Sequence, residues 1–332
     1  MNSVPLVDAL PWENDRPPNH GSTILVTDSL ETDGRFILQI LACQYLSSKE
    51  QSNGANYNNN NRVVWVSCDA TNERQLVTAL KKFGCDSRNL PSQTSLLSQT
   101  EKEDHLHWKF LSVPQIISST ISEHTDSTDI LESCAKTVHS QIRDFSLSAS
   151  LAAKQGEPLT KCGTLVVFDN VSSLVESLGE VLTYAVIQRV RGMLRSNGCG
   201  CLVMRISNEL QDISGELTTM LTQERRTLCV GFGGEQESIS SVSSFENGLM
   251  VELADGIIDV LPLQSGFSNE AHGRIAVTER MGGLGWSEFN QISTEMLPRV
   301  VGINNPKPLK KTVFNFLHSD FQVKAIHLRS KS

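Results

Sequence analysis

The sequence predicts an α/β fold: a mostly parallel central sheet flanked by helices, with antiparallel strands at its C-terminal edge. Three observations carry this. Short apolar, β-branched runs alternate with longer amphipathic stretches through much of the chain, as a parallel sheet with crossover helices requires. The strongest run, GTLVVFDN (Gly163 to Asn170), is continuously apolar, as suits a central strand covered on both faces. Towards the C-terminus the pattern changes: GIIDVLPL (Gly256 to Leu263) and GRIAVTER (Gly273 to Arg280) read as a hairpin. TVFNFLHSDFQVKAIHLRS then reads as a last pair of strands turning near His318 to Asp320.

Taken in order, Gly21 to Leu46 supplies an apolar strand (Ile24 to Val26), a short loop, and an amphipathic helix carrying Phe36, Ile37, Ile40 and Leu41. A Ser/Asn-rich stretch follows, too polar to bury. Arg62 to Ala70 is a second apolar strand, and Leu76, Leu80 and Phe83 mark a helix that Gly84 ends. His105 to Val113 reads as a short strand. Ile130 to Phe145 carries a helical stripe of Leu131, Ala135, Val138, Ile142 and Phe145. One long helix is expected from Ser172 to Arg195, apolar along Leu174, Leu178, Val181, Leu182, Ala185, Val186, Val190 and Met193. Cys201 to Ser207 is the next strand. Helix-alternating parallel strands closed by antiparallel ones describe a RecA-like, P-loop NTPase-like domain over 21–332, behind an extension over 1–20. Polar insertions are expected near 47–61, 91–104 and 146–162, and no internal repeat is present.

Composition narrows the function classes. With 332 residues, a net charge of −8 and 6% aromatic residues, the chain is no electrostatic trap for nucleic acid, so any RNA contact needs a local basic patch. No apolar run approaches the roughly 20 residues of a membrane span. The N-terminus lacks a basic region followed by an apolar core, so no signal peptide is expected. A soluble cytoplasmic protein is the expectation, with the nucleus as a second compartment. The eight cysteines are scattered without a CxxC pair, and read as structural free thiols. Cys199-x-Cys201 has no second pair or nearby histidine to complete a zinc tetrahedron. His105 and His107 would share a strand face without a partner acid.

The loop after the first strand is where phosphates would be cradled. Laid on G-x-x-x-x-G-K-[ST], it reads Ser29, four residues, Gly34, Arg35, Phe36. Only the second glycine survives. The lysine position holds Arg35 and the magnesium-binding hydroxyl position holds Phe36. Asp28, Glu31 and Asp33 add negative charge where amides and a lysine should attract an anion. LVVFD, ending in Asp169, has the form of a Walker B strand. Either Asp169 or Asn170 as a helix cap is favoured over a magnesium ligand, since no P-loop lysine or hydroxyl accompanies it. No G-x-S-x-G elbow is present. No catalytic residue, cofactor or metal site is therefore expected. Four basic residues are candidate contacts to an RNA phosphate backbone: Arg191 and Arg195, expected on the exposed side of the long helix, and Arg225 and Arg226 in the connection beyond the Cys201 to Ser207 strand. Lys307, Lys310 and Lys311 form a further basic cluster.

Several segments together resemble the sixth subunit of Elongator. Ala254-Asp255 begins a strand, and Leu263, Ser265, Gly266, Phe267, Ser268, Glu270, His272 and Gly273 follow the family's turn before a second strand. Asp33, Gly34, Phe36 and Leu38 are similar to its helix start. Asp169, Asn170, Val171, Ser172, Leu174, Val175 and Gly179 are similar to a third segment, in which Asn170 replaces a second acid. The resemblance runs along most of the chain. It implies a RecA-like pseudo-ATPase that assembles with the fourth and fifth Elongator subunits into a hexameric ring, two copies each. Such a ring binds tRNA and docks on the catalytic subcomplex that modifies the wobble uridine. A degenerate recombinase- or clock-type ATPase paralogue acting as an interaction module is the alternative. An active NTPase with a divergent loop is the other.

Overall fold

The central strands form where the sequence places Val, Ile and other apolar residues in runs, and the strands among the described residues build a ten-stranded sheet. The computed structural model describes residues 3–6, 20–29, 31–47, 61–69, 71–91, 107–123, 127–152, 163–196, 200–208, 253–263, 271–279, 310–319 and 322–326. Its strands are β1 (Ser3–Pro5), β2 (His20–Ser29), β3 (Arg62–Ser67), β4 (Trp108–Ser112), β5 (Thr164–Phe168), β6 (Gly200–Asn208), β7 (Gly256–Leu261), β8 (Gly273–Glu279), β9 (Lys310–Ser319) and β10 (Gln322–Ile326). The spatial order is β1-β10-β9-β8-β7-β2-β6-β5-β3-β4. From β7 to β4 every neighbouring pair is parallel. From β7 to β1 every pair is antiparallel. Strand β2 lies between β6 and β7, and Ile24 is in register with Val203 on one side and Gly256 on the other.

Helices cover both faces. They are α1 (Arg35–Ser47), α2 (Glu73–Lys82), α3 (Val113–Glu123), α4 (Ser127–Ala152), α5 (Val171–Leu178) and α6 (Glu180–Ser196). Side chains alternate between the faces with period two, so one strand feeds two cores. Ile24, Val26, Val63, Trp65, Leu165, Val167, Cys201 and Val203 join α1 and α2 in the first core. Leu25, Val64, Val66, Val166, Phe168, Leu202 and Met204 join α3 to α6 in the second. The first core continues under the antiparallel strands through Ile258, Ile275, Val277 and Phe316. Because α1 bridges the two halves of the sheet, it is buried on nearly all sides, from Phe36 to Leu46, rather than on one face.

Several expectations are corrected. The long helix from Ser172 to Arg195 is two helices, broken at Gly179, whose φ of 81° and ψ of 160° lie where L side chains rarely go. The break turns Val181 to solvent, 80% exposed, although its place in the apolar stripe pointed it inward. Arg191 and Arg195 are half-buried and not on an open face. The stretch expected as an insertion at 146–162 is helical as far as Ala152. A helix, α3, begins at Val113, where the strand from His105 was expected to end, so that strand shortens to Trp108–Ser112. Ser3–Pro5 of the expected N-terminal extension pairs with β10, and Leu6 is buried in the first core. The hairpin and the final strand pair form as expected. The Asn-rich insertion, Arg225, Arg226, Lys307, His105 and Cys199 lie outside the described residues.

Candidate functional site

The C-terminal ends of the parallel strands bring together the residues that the loop sequence singled out. Asp28 sits near the end of β2, in register with Ser207 of β6, and is 3% exposed. Its Oδ2 accepts the Gly34 amide at 2.6 Å and Arg205 Nη1 at 2.8 Å. Its Oδ1 accepts the Ser207 hydroxyl at 3.0 Å. The loop amide that would hold a phosphate oxygen therefore holds a carboxylate of the chain itself. Gly34 survives for a related reason. A Cβ there would meet Asp28 Cβ at 3.1 Å, Asp28 Oδ2 at 3.2 Å and Val26 Cγ1 at 3.3 Å. Asp28 and Val26 would have to give by a few tenths of an ångström to admit it.

Arg205 completes the closure. Strand β6 lies between β2 and β5, so a side chain near its end reaches both. Arg205 pairs with Asp28, and its Nε donates to the Asp169 backbone carbonyl at 2.5 Å. It is 4% exposed, and Asp33 Oδ1 approaches to 4.0 Å. A buried pair with this many partners is costly to break from one side, by about 3–5 kcal/mol. The sequence signal for it was an arginine inside an otherwise apolar strand run, CLVMRIS.

The remaining loop positions are also taken up within the chain. Thr32 donates its hydroxyl to the Val260 carbonyl at 2.9 Å and its amide to Ser29 O at 3.0 Å. Thr27 donates to Asp259 at 2.6 Å, so both ends of the turn are tied to β7. Arg35 donates from its backbone amide (2.9 Å) and from Nε (3.2 Å) to Asp33 Oδ1, with Asp69 Oδ2 at 4.0 Å. Burial opposes its charge, but the carboxylates of Asp33, Asp69 and Asp169 outweigh it and raise its pKa above the ordinary arginine value. Phe36 points into the first core, its ring centroid 5.1 Å from that of Phe316. The position that offers magnesium a hydroxyl in a working loop is here a packing anchor.

Asp169, at the end of β5, is fully buried. Its Oδ1 accepts the Cys68 amide at 2.7 Å and its Oδ2 accepts Trp65 Nε1 at 3.2 Å, so both oxygens engage β3 and the residue after it. Burial pushes its carboxyl above the usual range; the Cys68 and Trp65 hydrogen bonds and Arg205 oppose that, and Asp69 adds to it. Of the two candidate caps, Asn170 is the one used: its side chain accepts the Ser173 amide at 3.3 Å at the start of α5.

A second cluster lies at the opposite end of β2. Arg195 Nη2 donates to Asp255 Oδ1 and Oδ2 at 3.2 and 3.1 Å, and its Nε donates to Gly21 O at 3.2 Å. Asp255 also accepts the Thr23 amide at 2.9 Å and donates its own amide to Thr23 O at 2.8 Å. Gly21, with φ of 73°, brings the backbone so near Arg195 that a Cβ would lie 2.5 Å from its Cγ. Arg195 and the Ala254-Asp255 motif thus form a clasp joining α6, β2 and the lead into β7. Arg191 is half-buried on α6, one helical turn before Arg195. His107 Nδ1 is 3.0 Å from Asn61 O, and Lys310 and Lys311 fall within β9.

No protein-family model matches the chain, and no curated protein matches it. Among solved structures it is similar to a KaiC-like protein of the hyperthermophilic archaeon Pyrococcus horikoshii OT3. The identity is 13%, the match covers 98% of this chain and 96% of that one, and the TM-score is 0.45. The chain has an α/β fold: a mostly parallel sheet between helical layers, with antiparallel strands at the C-terminal edge.

Proposed function

We propose that the chain is a non-catalytic subunit of an Elongator-type complex. In this reading it stands in a heterohexameric RecA-like ring with the fourth and fifth subunits, two copies of each. The ring contacts tRNA and supports wobble-uridine modification, whose chemistry belongs to another subcomplex. The observation that carries the non-catalytic role is the Asp28 carboxylate on the Gly34 amide. A triphosphate entering this loop would have to displace a carboxylate already hydrogen-bonded there, open the buried Arg205 pair, and approach the acids Glu31 and Asp33. Arg35 is a poor substitute for a phosphate lysine, because its planar fork needs more room than a compact ammonium and already faces Asp33 and Asp69. Support for the Elongator assignment is the ordered resemblance of the segments around Gly34, Asp169 and Asp255. Each of these three residues has a definite job in the fold.

Affinity purification of the full chain from its own cells tests the partners. Recovery of the fourth and fifth Elongator subunits in stoichiometric amount is expected. Recovery of a different partner set favours the recombinase- or clock-type module and overturns the Elongator reading. Titration of the purified chain with magnesium ATP should show no saturable binding tighter than about 1 mM. Micromolar binding with hydrolysis would establish the active-NTPase alternative. For tRNA, reversing Arg225 and Arg226 to Glu should weaken binding by the assembled ring, with the loss shrinking as salt rises. Reversal of Arg195 is a poor probe of RNA contact because it opens the Asp255 clasp.

A further inference from the structure

Cys43, on α1, and Cys85, in the turn after Gly84 at the end of α2, meet in the first core. The Cys43 thiol donates to the Leu80 carbonyl at 3.4 Å, and the Cys85 amide donates to that same carbonyl at 3.1 Å. Sharing one acceptor sets the two residues side by side. Both are reduced. They are also the least covered of the described cysteines, 7% and 6% exposed, against 2% for Cys68 and 0% for Cys134 and Cys201. A small oxidant reaches this pair more readily than the other three.

We propose that Cys43 and Cys85 form an oxidisable dithiol that closes to a disulfide between α1 and the end of α2, with hydrogen peroxide as oxidant. Cys85 is the attacking thiol. The Cys43 proton is held on the Leu80 carbonyl, and its thiol neighbour and burial push Cys43 up. Cys85 is lowered by Cys43 and Lys81, against burial and Asp86. The Cys85 thiolate attacks one peroxide oxygen. The O–O bond breaks, the other oxygen leaves as hydroxide and becomes water with the proton Cys85 released, and Cys85 is left as a sulfenic acid. Cys43 sulfur then attacks the Cys85 sulfur, whose hydroxyl departs with the Cys43 proton as a second water. Two thiols lose two electrons and two protons, and one peroxide becomes two waters. Exchange with an external dithiol reverses the step. The bond would tie α1, the helix that begins at the closed loop, to α2.

Peptide mapping of the full chain tests this. Cleavage after Lys and Arg releases Cys43 in the segment from Phe36 to Lys49 and Cys85 in that from Phe83 to Arg88, one cysteine in each. After hydrogen peroxide, alkylation and digestion without reductant, these two peptides should appear linked and separate on adding dithiothreitol. Intact mass should fall by about 2 Da for the two hydrogens lost, and the melting temperature should rise relative to the reduced chain. Recovery of both peptides as separate alkylated thiols while other cysteines oxidise would overturn the proposal. So would Cys85 as a sulfinic acid with no linked pair. A Cys43→Ser chain, if folded, should accumulate a dimedone-trapped sulfenic acid on Cys85; its absence there counts against Cys85 as the attacking thiol. The mapping of the native sequence stands whether or not that variant folds.

Discussion

Asp28 changes what the loop can do, because a carboxylate that accepts three hydrogen bonds has taken the place of a bound anion. Its value to the fold depends on Arg205, and the reverse holds too. Arg205→Met should cost about 3–5 kcal/mol, since it leaves Asp28 buried without its cation. Asp28→Asn should also destabilise, by stranding Arg205. Combined, the two should lose clearly less than the sum of the singles, because neither charge is then left alone. Urea midpoints of the four proteins measure this, and simple additivity would show that the pair is not coupled. Asp169 carries a pH signature. Burial holds its carboxyl above the ordinary carboxylate range, so the folded chain binds that proton more tightly than the unfolded one. Its contribution to stability is therefore greatest at low pH. It declines as pH rises from the unfolded value, about 3.9, through the raised folded value, and is flat above. The stability of the native chain relative to Asp169→Asn should fall over that window when melting temperature is followed against pH. A relative stability that climbs with pH would reverse the sign and rule this out.

Among the elements, the pair α5–α6 shows where periodicity misleads. Apolar residues recur at helical spacing through Ser172 to Arg195, and nothing in that pattern marks a break. Gly179 makes one by adopting backbone angles open to glycine alone, with its amide donating to Val175 O at 2.7 Å. Gly179→Ala should cost about 1–3 kcal/mol from backbone strain. No steric clash adds to this, because nothing lies within 4 Å of the added Cβ. Denaturant melts give the difference, and a cost near zero would mean that the break shifts freely. Helix α3 was missed because VPQIISSTISE is short and rich in Ser and Thr, which compete for backbone hydrogen bonds. In the fold those hydroxyls bond back to preceding carbonyls, Ser118 to Pro114 and Thr120 to Ile116. Packing of Val113 and Ile116 into the second core holds the helix in place.

At the scale of the whole molecule, sheet order turns scattered residues into a site. Asp28, Arg205 and Asp169 stand on β2, on β6 and at the end of β5; these strands are adjacent in the sheet, although β3, β4 and β5 come between β2 and β6 along the chain. Arg35, Phe36 and Asp169 were legible as candidates because each stands at a motif position that phosphate and magnesium chemistry constrains, and Asp28 was legible only as an acid beside that loop. Arg205 and Asp255 were not legible as partners, since only the sheet brings β6 and the lead into β7 to either side of β2. Arg195 illustrates the same limit. Its position predicted a surface contact, while the left-handed backbone at Gly21 and the carboxylate of Asp255 draw it into a clasp.

By itself the sequence determined the alternation of strands and helices, the antiparallel C-terminal edge, and a phosphate loop without its lysine or hydroxyl. These are local properties, set by hydrophobic period and by residue type at fixed spacing. Only the tertiary structure decided what replaced the lost chemistry. Asp28 occupies the loop amide, Arg205 joins it to the strand of Asp169, and Phe36 turns into the core. The reason is physical: a buried charge is tolerated only beside its partner, and which partner is near depends on strand order, not on distance along the chain.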